Sequence, residues 1–158
     1  MSSEQETSPL EILAPCAGRL VAMTDVPDPV FAAEMVGPGV AIDPEPKETT
    51  VVSPIGGKVV KMLPHAFVVL GDEGVGILVH LGINTVRLEG KGFEVLATQR
   101  STVQAGDPMV RWDPTAITDE DMSTMVIVVA MDRPKGSVPP PAEDAEAVVG
   151  DVLFTVAP

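Results

Sequence analysis

The chain of 158 residues is poor in several residue types on which classes of protein depend. It has no tyrosine, one tryptophan, one cysteine (Cys16) and two histidines (His65 and His80). A single cysteine excludes an internal disulfide and a zinc site built from several thiolates, and we expect it to be a buried apolar residue. Basic residues are also scarce: ten Lys and Arg stand against 23 Asp and Glu, a net charge of −13. This charge repels nucleic acid and anionic lipid and favours basic partners.

Long apolar runs are also missing from the chain. No apolar stretch reaches the length of a membrane-spanning helix, about 18 residues. The first eight residues are polar and acidic, unlike the basic and apolar start of a signal peptide. We therefore expect a cytoplasmic, monomeric protein without direct membrane insertion. Residues 1–8 are predicted to be a flexible tail, and residues 9–158 a single domain.

Proline and glycine, by contrast, are abundant. The 16 prolines and 14 glycines divide the chain into short segments rich in valine, isoleucine and leucine. This pattern predicts an all-β fold, an antiparallel β-sandwich or barrel-like arrangement with short helical turns. Strands are predicted at 19–24, 40–44, 57–62, 66–71, 76–81, 93–97, 108–112, 125–129 and 150–156.

Two segments depart from the strand pattern. Asp113 is a suitable N-cap and Pro114 suits a first helical position, which together predict a short surface helix. Residues 133–146 contain three consecutive prolines and three acidic residues. This composition predicts an exposed loop.

Weak internal similarity indicates an internal duplication. Residues 14–21 and 53–60, 39 positions apart, both place Pro-x-x-Gly before an apolar strand. A second similarity links 105–107 with 149–151. Shared turn chemistry is an alternative explanation, because proline and glycine at these positions favour a tight turn in any context.

Both histidines adjoin apolar segments that are predicted to be neighbouring strands. His65 comes just before one strand and His80 lies within the next, with a predicted turn at 72–74 between them. The two residues are nearly equally far from that turn. An antiparallel hairpin would therefore bring the two imidazoles close together.

The strand around His80 separates it from its apolar neighbours. Alternation sends Val79 and Leu81 to one face and His80 to the other, and Gly82 is expected to leave space for a ligand. A pair of imidazoles can bind metal, act in acid–base catalysis or form a phosphoramidate with a transferred phosphoryl group. The sequence contains neither a Gly-x-Ser-x-Gly motif nor a Gly-x-x-x-x-Gly-Lys phosphate loop.

Several ordered motifs match one known family. Over nearly its whole length, from about residue 11, the chain resembles the glucose-family enzyme IIA component (EIIA type-1 domain) of the phosphoenolpyruvate-dependent sugar phosphotransferase system. The motif around His80 reads Val-His-Leu-Gly-Ile-Asn-Thr-Val, and the one at the first histidine reads His-Ala-Phe. The matching segments are 26–31, 36–42, 65–67, 79–86, 89–93 and 103–107.

The resemblance implies a β-sandwich phosphotransferase that acts as a phosphohistidine carrier in sugar transport. It implies that His80 accepts a phosphoryl group from the carrier HPr and passes it to the IIB component of the IIB/IIC sugar permease. His65 would then orient and stabilise this group, and Asp28 would lie at the edge of the docking surface. Covalent phosphate on His80 is the one added group that this role needs, without a cofactor or a required metal.

The docking surface in this family also needs an apolar rim that excludes water. Two residues here depart from the family pattern. Asn84 replaces an aspartate at the rim, which weakens a charge contact with HPr, and Leu63 replaces a threonine two positions before the first histidine. For the rim itself we expect Val30, Phe31, Phe67, Val68 and Leu78.

Two other functions compete with the carrier role. A metal-dependent hydrolase could hold zinc at His65 and His80, but the sequence supplies no third histidine. A biotinyl- or lipoyl-type domain could use Lys61 as its attachment point, which would leave both histidines unexplained. The sequence does not specify which sugar a carrier would serve.

Overall fold

The computed structural model describes residues 9–71 and 74–157. The helical elements of this part are α1 (Pro29–Ala32) and three 3-10 turns at Met23–Asp25, Thr85–Leu88 and Pro114–Ala116. Its strands are β1 Leu10–Leu13, β2 Gly18–Ala22, β3 Gly39–Pro44, β4 Thr49–Val52, β5 Gly57–Leu63, β6 Ala66–Leu70, β7 Gly76–Ile83, β8 Phe93–Val95, β9 Thr102–Val103, β10 Pro108–Trp112, β11 Ser123–Ala130, β12 Glu146–Ala147 and β13 Val152–Val156.

Every predicted strand is present, with ends that agree to within two residues. Four strands were missed: β1, β4, β9 and β12. They have two to four residues each, which is too short for a period-2 pattern to show. The predicted tail at 1–8 and two residues of the predicted turn, 72 and 73, lie outside the described residues, and those predictions stay untested.

The strands form three antiparallel sheets that enclose a common core. The large sheet has the order β12-β2-β3-β11-β7-β6-β5-β9, and the smaller sheets are β4-β10-β8 and β1-β13. Residues from all three sheets, among them Ile12, Leu81, Trp112 and Phe154, pack in the main core. The prediction of an all-β antiparallel sandwich is confirmed. Cys16 is also buried in this core, and its burial raises the pKa of the thiol to about 12.

A second, smaller apolar cluster lies on the opposite face of the large sheet. Residues of β3, β7 and β11 on this outer face pack against the segment that links β2 to β3. That segment contributes Met23, Val26 and Phe31. The outer face of the large sheet is therefore partly covered by the 3-10 turn at Met23–Asp25 and by α1.

The backbone hydrogen bonds reveal a repeat with approximate twofold symmetry. The two Pro-x-x-Gly segments begin β2 and β5 and bond to each other's flanks: Leu13 N donates to Pro54 O and Val52 N to Pro15 O, both at 3.0 Å. The turn at 106–107 exchanges two bonds with Ser53. The turn at 150–151 exchanges the same two bonds with Ala14.

The strand pairs repeat in the same way. β4 pairs with β10 and β1 pairs with β13 in equivalent registers, each with an irregularity at the same place. β9 adds to the start of β5 as β12 adds to the start of β2. Similar turn residues alone do not explain these shared strand registers, which therefore support an internal duplication.

The helical predictions were only partly correct. Asp113 caps a helical turn as expected, but the turn is a single 3-10 turn that ends at Ala116. The longer loop has no helix or strand from 133 to 145, as predicted, although Val138 is buried in the main core. Helix α1 was missed even though Asp28 and Pro29 repeat the cap-and-proline pattern of Asp113 and Pro114.

Candidate functional site

The two histidines meet at one end of the β6–β7 hairpin. His65 lies in the turn between β5 and β6, and its carbonyl oxygen accepts a hydrogen bond from Leu81 N at 2.7 Å. His80 lies on β7 directly opposite Ala66. The two imidazole centroids are 5.2 Å apart, with an edge-to-face angle of 76°. The predicted juxtaposition is confirmed.

The imidazole of His80 is held in one tautomer. Its Nδ1 lies 2.6 Å from the carbonyl oxygen of Gly82. A carbonyl oxygen only accepts hydrogen bonds, so Nδ1 carries the proton and donates it. In the neutral ring, Nε2 then has a free lone pair, and it has no hydrogen-bond partner among residues 9–71 and 74–157. Nε2 is therefore the nucleophilic nitrogen that the His80 ring presents.

Burial keeps both imidazoles neutral near physiological pH. Desolvation lowers the pKa of His80 below its ordinary value of 6.5, and the positive charge of a protonated His65 lowers it further. The hydrogen bond to Gly82 and the carboxylate of Asp28 partly oppose this shift by raising the pKa of His80. Desolvation also lowers the pKa of His65. Neither ring needs to lose a proton before its lone pair can act.

An aromatic side chain from α1 also contacts His80. The Phe31 and His80 ring centroids are 5.3 Å apart, with an interplanar angle of 60°. Asp28 is the N-cap of α1, and its Oδ1 accepts hydrogen bonds from Val30 N (2.9 Å) and Phe31 N (3.2 Å). His80 is therefore in contact with both Phe31 and His65.

Gly82 has a different role from the one expected. Its φ is +82°, and a Cβ there would lie 2.5 Å from Thr85 Cγ2 and 2.6 Å from Ser123 O. The space beside Gly82 is filled by protein, so the prediction that it leaves room for a ligand was wrong. Glycine is required because the backbone is left-handed and closely packed where it turns its carbonyl towards His80.

Of the predicted apolar rim, the structure leaves Val30, Val68 and Leu78 at least partly exposed and buries Phe31 and Phe67. Phe67 is fully buried in the main core, because alternation along β6 places it on the inner face with Val79. It cannot form a rim. Val68 and Leu78 face each other on the outer side and are half-buried, and Val30 on α1 is exposed. Their proposed contact with partners stays a prediction.

The side-chain amide of Asn84 is used within the chain. Asn84 lies at the end of β7 in the left-handed region, with φ of 64°. Its Nδ2 donates to the carbonyl oxygen of Asp121 at 2.7 Å, and the Arg87 guanidinium lies 3.9 Å from the Asp121 carboxylate. These contacts tie the end of β7 to the loop before β11. The structure shows that Nδ2 of Asn84 makes an internal contact, and the partner contact expected of Asn84 stays a prediction.

The rival functions find little support in the described residues. No group of three His, Cys, Asp or Glu side chains there could hold a metal ion, so His65 and His80 would supply only half of a tetrahedral zinc shell. Lys61 lies within β5 rather than at a turn, where a swinging cofactor arm would need to project. Within the described residues, no helix is both long and apolar enough to span a membrane.

Sequence reasoning did not assign to the rim three exposed apolar residues on segments that adjoin the site. Leu63 ends β5 two positions before His65, Val86 follows β7 in a 3-10 turn, and Met35 follows α1; their exposed fractions are 36%, 58% and 68%. All three lie outside the predicted strands. The signal that could have found them is an apolar residue inside a predicted turn.

The sequence matches a known protein family. The family model described as "phosphoenolpyruvate-dependent sugar phosphotransferase system, EIIA 1" matches residues 10–135. A relative named PTS system glucose-specific EIIA component, from Staphylococcus epidermidis, is 40% identical over 144 residues, which cover 89% of this chain and 84% of the relative. A protein of the same name from Staphylococcus aureus (strain COL) is 42% identical over 122 residues, covering 76% and 72%.

A solved structure extends the match to the fold. Glucose permease IIA from Mycoplasma capricolum superimposes with a TM-score of 0.77 at 31% sequence identity, covering 99% of this chain and 98% of that chain. The family model and the relatives span the segments that form the histidine site. The chain therefore belongs to the EIIA 1 family of the phosphoenolpyruvate-dependent sugar phosphotransferase system and is a phosphoryl carrier of that system.

Proposed function

We propose that His80 is the phosphoryl acceptor of this carrier. On this proposal it receives the group from phospho-HPr and passes it to the IIB component of a IIB/IIC sugar permease. The observation that carries the proposal is the neutral imidazole of His80, whose Nδ1–H is bound to Gly82 O and whose Nε2 is left with a free lone pair. Covalent phosphate is the only added group that this chemistry requires.

The transfer step balances without an acid or base from the protein. The Nε2 lone pair of His80 attacks phosphorus, the bond between phosphorus and the donor imidazole of HPr breaks, and that bond's electron pair stays with the donor ring. The phosphorylated His80 ring gains positive character, so its Nδ1–H bond to Gly82 O becomes charge-assisted. The carbonyl therefore stabilises the product more than it stabilises the free ring.

His65 is proposed to stabilise the phosphoryl oxygens. Its ring packs edge to face with His80, close enough for an N–H to reach an oxygen of a phosphoryl group bonded to Nε2. Phosphoryl transfer proceeds through a loose transition state whose charge lies on the equatorial oxygens, so a positioned donor lowers its energy. The amide of Leu81 cannot assist, because it already donates to His65 O.

The docking surface is proposed to combine an apolar patch with negative charge. Val30, Leu63 and Val86 are exposed apolar residues on segments that adjoin the histidines. The net charge of −13 favours a basic partner and speeds its approach. A shuttle must release each partner quickly, and a small interface of this kind suits weak and rapid binding. We place the carrier in the cytoplasm, where a soluble donor can meet the inner face of a permease.

A reconstitution experiment tests the assignment of the acceptor. The protein is incubated with phosphoenolpyruvate, enzyme I and HPr, and acid-labile phosphate is measured by mass spectrometry. We expect one phosphate on the wild type and none on His80→Gln. Phosphate that persists on His80→Gln would overturn the proposal. Retained zinc, or an adduct on Lys61, would favour one of the rival functions instead.

The second arm of this experiment separates acceptance from donation. We expect His65→Gln to accept phosphate from HPr but to pass it poorly to IIB, since Gln cannot reproduce both ring nitrogens. Glucose is the first sugar to test with the IIB/IIC components, because the relatives are named for it. Wild-type rates in both steps for His65→Gln would remove His65 from the mechanism.

A further inference from the structure

Helix α1 depends on its N-cap more than an ordinary helix does. It has only four residues, Pro29–Ala32, whereas isolated helices need on the order of 12–15 residues to be even marginally stable in water. Its first two free amides, those of Val30 and Phe31, both donate to Oδ1 of Asp28. Pro29 at the first helical position has no amide hydrogen to satisfy. Asp28 therefore accepts the hydrogen bonds of the free amides at the start of this helix.

The backbone of Phe31 is thus directly bonded to Asp28. The Phe31 side chain is buried in the outer-face cluster, and its ring contacts the imidazole of His80 at a centroid distance of 5.3 Å. Contact with this ring restricts rotation of the imidazole about its side-chain torsions. Rotation would break the hydrogen bond from Nδ1–H to Gly82 O and would move Nε2.

We propose that Asp28 is a positioning residue for phosphoryl transfer. Its carboxylate caps α1, the cap fixes the ring of Phe31, and that ring holds the imidazole of His80 with Nε2 free for attack. This inference rests on the proposed role of His80 as acceptor. It differs from a role for Asp28 in docking, in which only its negative charge would matter.

Three substitutions separate the cap from the charge. Asp28→Asn and Asp28→Ser remove the charge but keep a side chain that caps helices well, whereas Asp28→Ala removes both. A purely electrostatic role predicts that the three variants behave alike. A positioning role predicts that Asp28→Asn and Asp28→Ser keep the wild-type geometry of the Phe31 and His80 rings and that only Asp28→Ala changes it.

Nuclear magnetic resonance of the His80 ring gives one readout for each property. The charge readout is the pKa of His80, which we expect to fall in all three variants, because Asp28 raises it and His65 is the other titratable group that acts on it. The geometric readout is the ring-current shift that Phe31 imposes on the His80 ring protons. We expect this shift to be retained in Asp28→Asn and Asp28→Ser and to be lost in Asp28→Ala.

Transfer kinetics and a double-mutant cycle complete the test. Loss of a cap corresponds to about a fivefold change in an equilibrium, so we expect Asp28→Ala to accept phosphate from HPr roughly fivefold more slowly than Asp28→Asn. If Asp28 acts through Phe31, Asp28→Ala should have little further effect in a Phe31→Leu background. Asp113→Ala removes the matching Asp-Pro cap at Pro114–Ala116 and should leave the His80 signals unchanged.

The outcomes decide the inference in either direction. Equal ring-current shifts and equal rates in Asp28→Asn and Asp28→Ala would overturn it, as would a full effect of Asp28→Ala in the Phe31→Leu background. The resonance measurements need no phosphate. If His80 proved not to be the acceptor, they would still show whether Asp28 fixes the Phe31 ring, so the two proposals can fail separately.

Discussion

Replacement of Gly82 by alanine should damage both stability and the histidine site. At φ of +82° an alanine costs about 1–2 kcal/mol relative to glycine. The new Cβ would also lie 2.6 Å from the carbonyl oxygen of Ser123 and 2.5 Å from Thr85 Cγ2. The Ser123 oxygen belongs to the backbone, so relief needs movement of a strand, and overpacking of this kind costs roughly 1–3 kcal/mol. We expect Gly82→Ala to lower the free energy of unfolding by about 2–5 kcal/mol.

Gly92 offers a matched control for the backbone strain. Its φ is +85°, and a Cβ there would meet nothing within 4 Å. Gly92→Ala should therefore lose only the conformational part, about 1–2 kcal/mol. Chemical denaturation can be followed by the fluorescence of Trp112, the sole tryptophan, which is buried and stacked on Phe93.

The same pair of variants tests the link between Gly82 and the acceptor. Movement of the Gly82 carbonyl would weaken its bond to Nδ1 of His80, which is 2.6 Å long in the native protein. We expect Gly82→Ala to accept phosphate more slowly than Gly92→Ala under conditions where both are folded. Equal stabilities for the two variants would refute the steric argument, and an unchanged Nδ1–H resonance of His80 would refute the link to the site.

Three further predictions concern charge and hydrogen bonding around the site. Because the folded pKa values of both histidines lie below 6.5, the unfolded chain takes up protons first; the contribution of the histidines to stability should be constant well above pH 6.5, fall as the pH drops through 6.5 towards the folded values, and fall less in His80→Gln. His65→Gln should raise the pKa of His80, measured by resonance titration, because a repulsive charge is removed; no change would contradict the coupling. Asn84→Asp should lower the melting temperature, because a carboxylate cannot donate to Asp121 O, at a cost of about 0.5–1.5 kcal/mol. A gain in low-salt association with HPr, without loss of stability, would show that Asn84 contacts the partner instead.

Much of the fold could be predicted because strand signals are local. Valine-rich segments between prolines and glycines located the longer strands, and two histidines at similar distances from one turn located the hairpin that carries them. The side of His80 followed from alternation, since Val79 and Leu81 do enter the main core. These inferences need only the period of a strand and the antiparallel geometry of a hairpin.

Other features of the site depend on contacts between distant segments. Phe31 reaches His80 through a four-residue helix, and the sequence shows only Asp28 and Pro29 as its signal. Gly82 is needed for packing against Ser123 rather than for an open space. Phe67 is buried because it lies on the inner face of the sheet. Alternation along β6, applied there as it was around His80, would have predicted this burial.

The approximate twofold repeat shows which positions in the other half of the large sheet correspond to the two histidines. His80 pairs with Ala66 and Ile127, while Val129 pairs with Gly39 and Leu78 at the equivalent positions. The bond from Leu81 N to His65 O likewise has its counterpart in the bond from Ala130 N to Pro38 O. His80 thus corresponds to Val129, and His65 to Pro38, in the other half of the sheet.

The two halves differ most in the connection that precedes these positions. β5 and β6 are joined by Pro64 and His65 alone, whereas β2 and β3 are joined by residues 23–38. The long connection buries Val129 beneath the outer-face cluster and also extends Phe31 to His80. The short one leaves His80 only half-buried and places a second imidazole beside it. The proposed role, in which His80 meets two partners in turn, needs this combination: one connection short enough to leave the histidine reachable, and the other long enough to hold it in place.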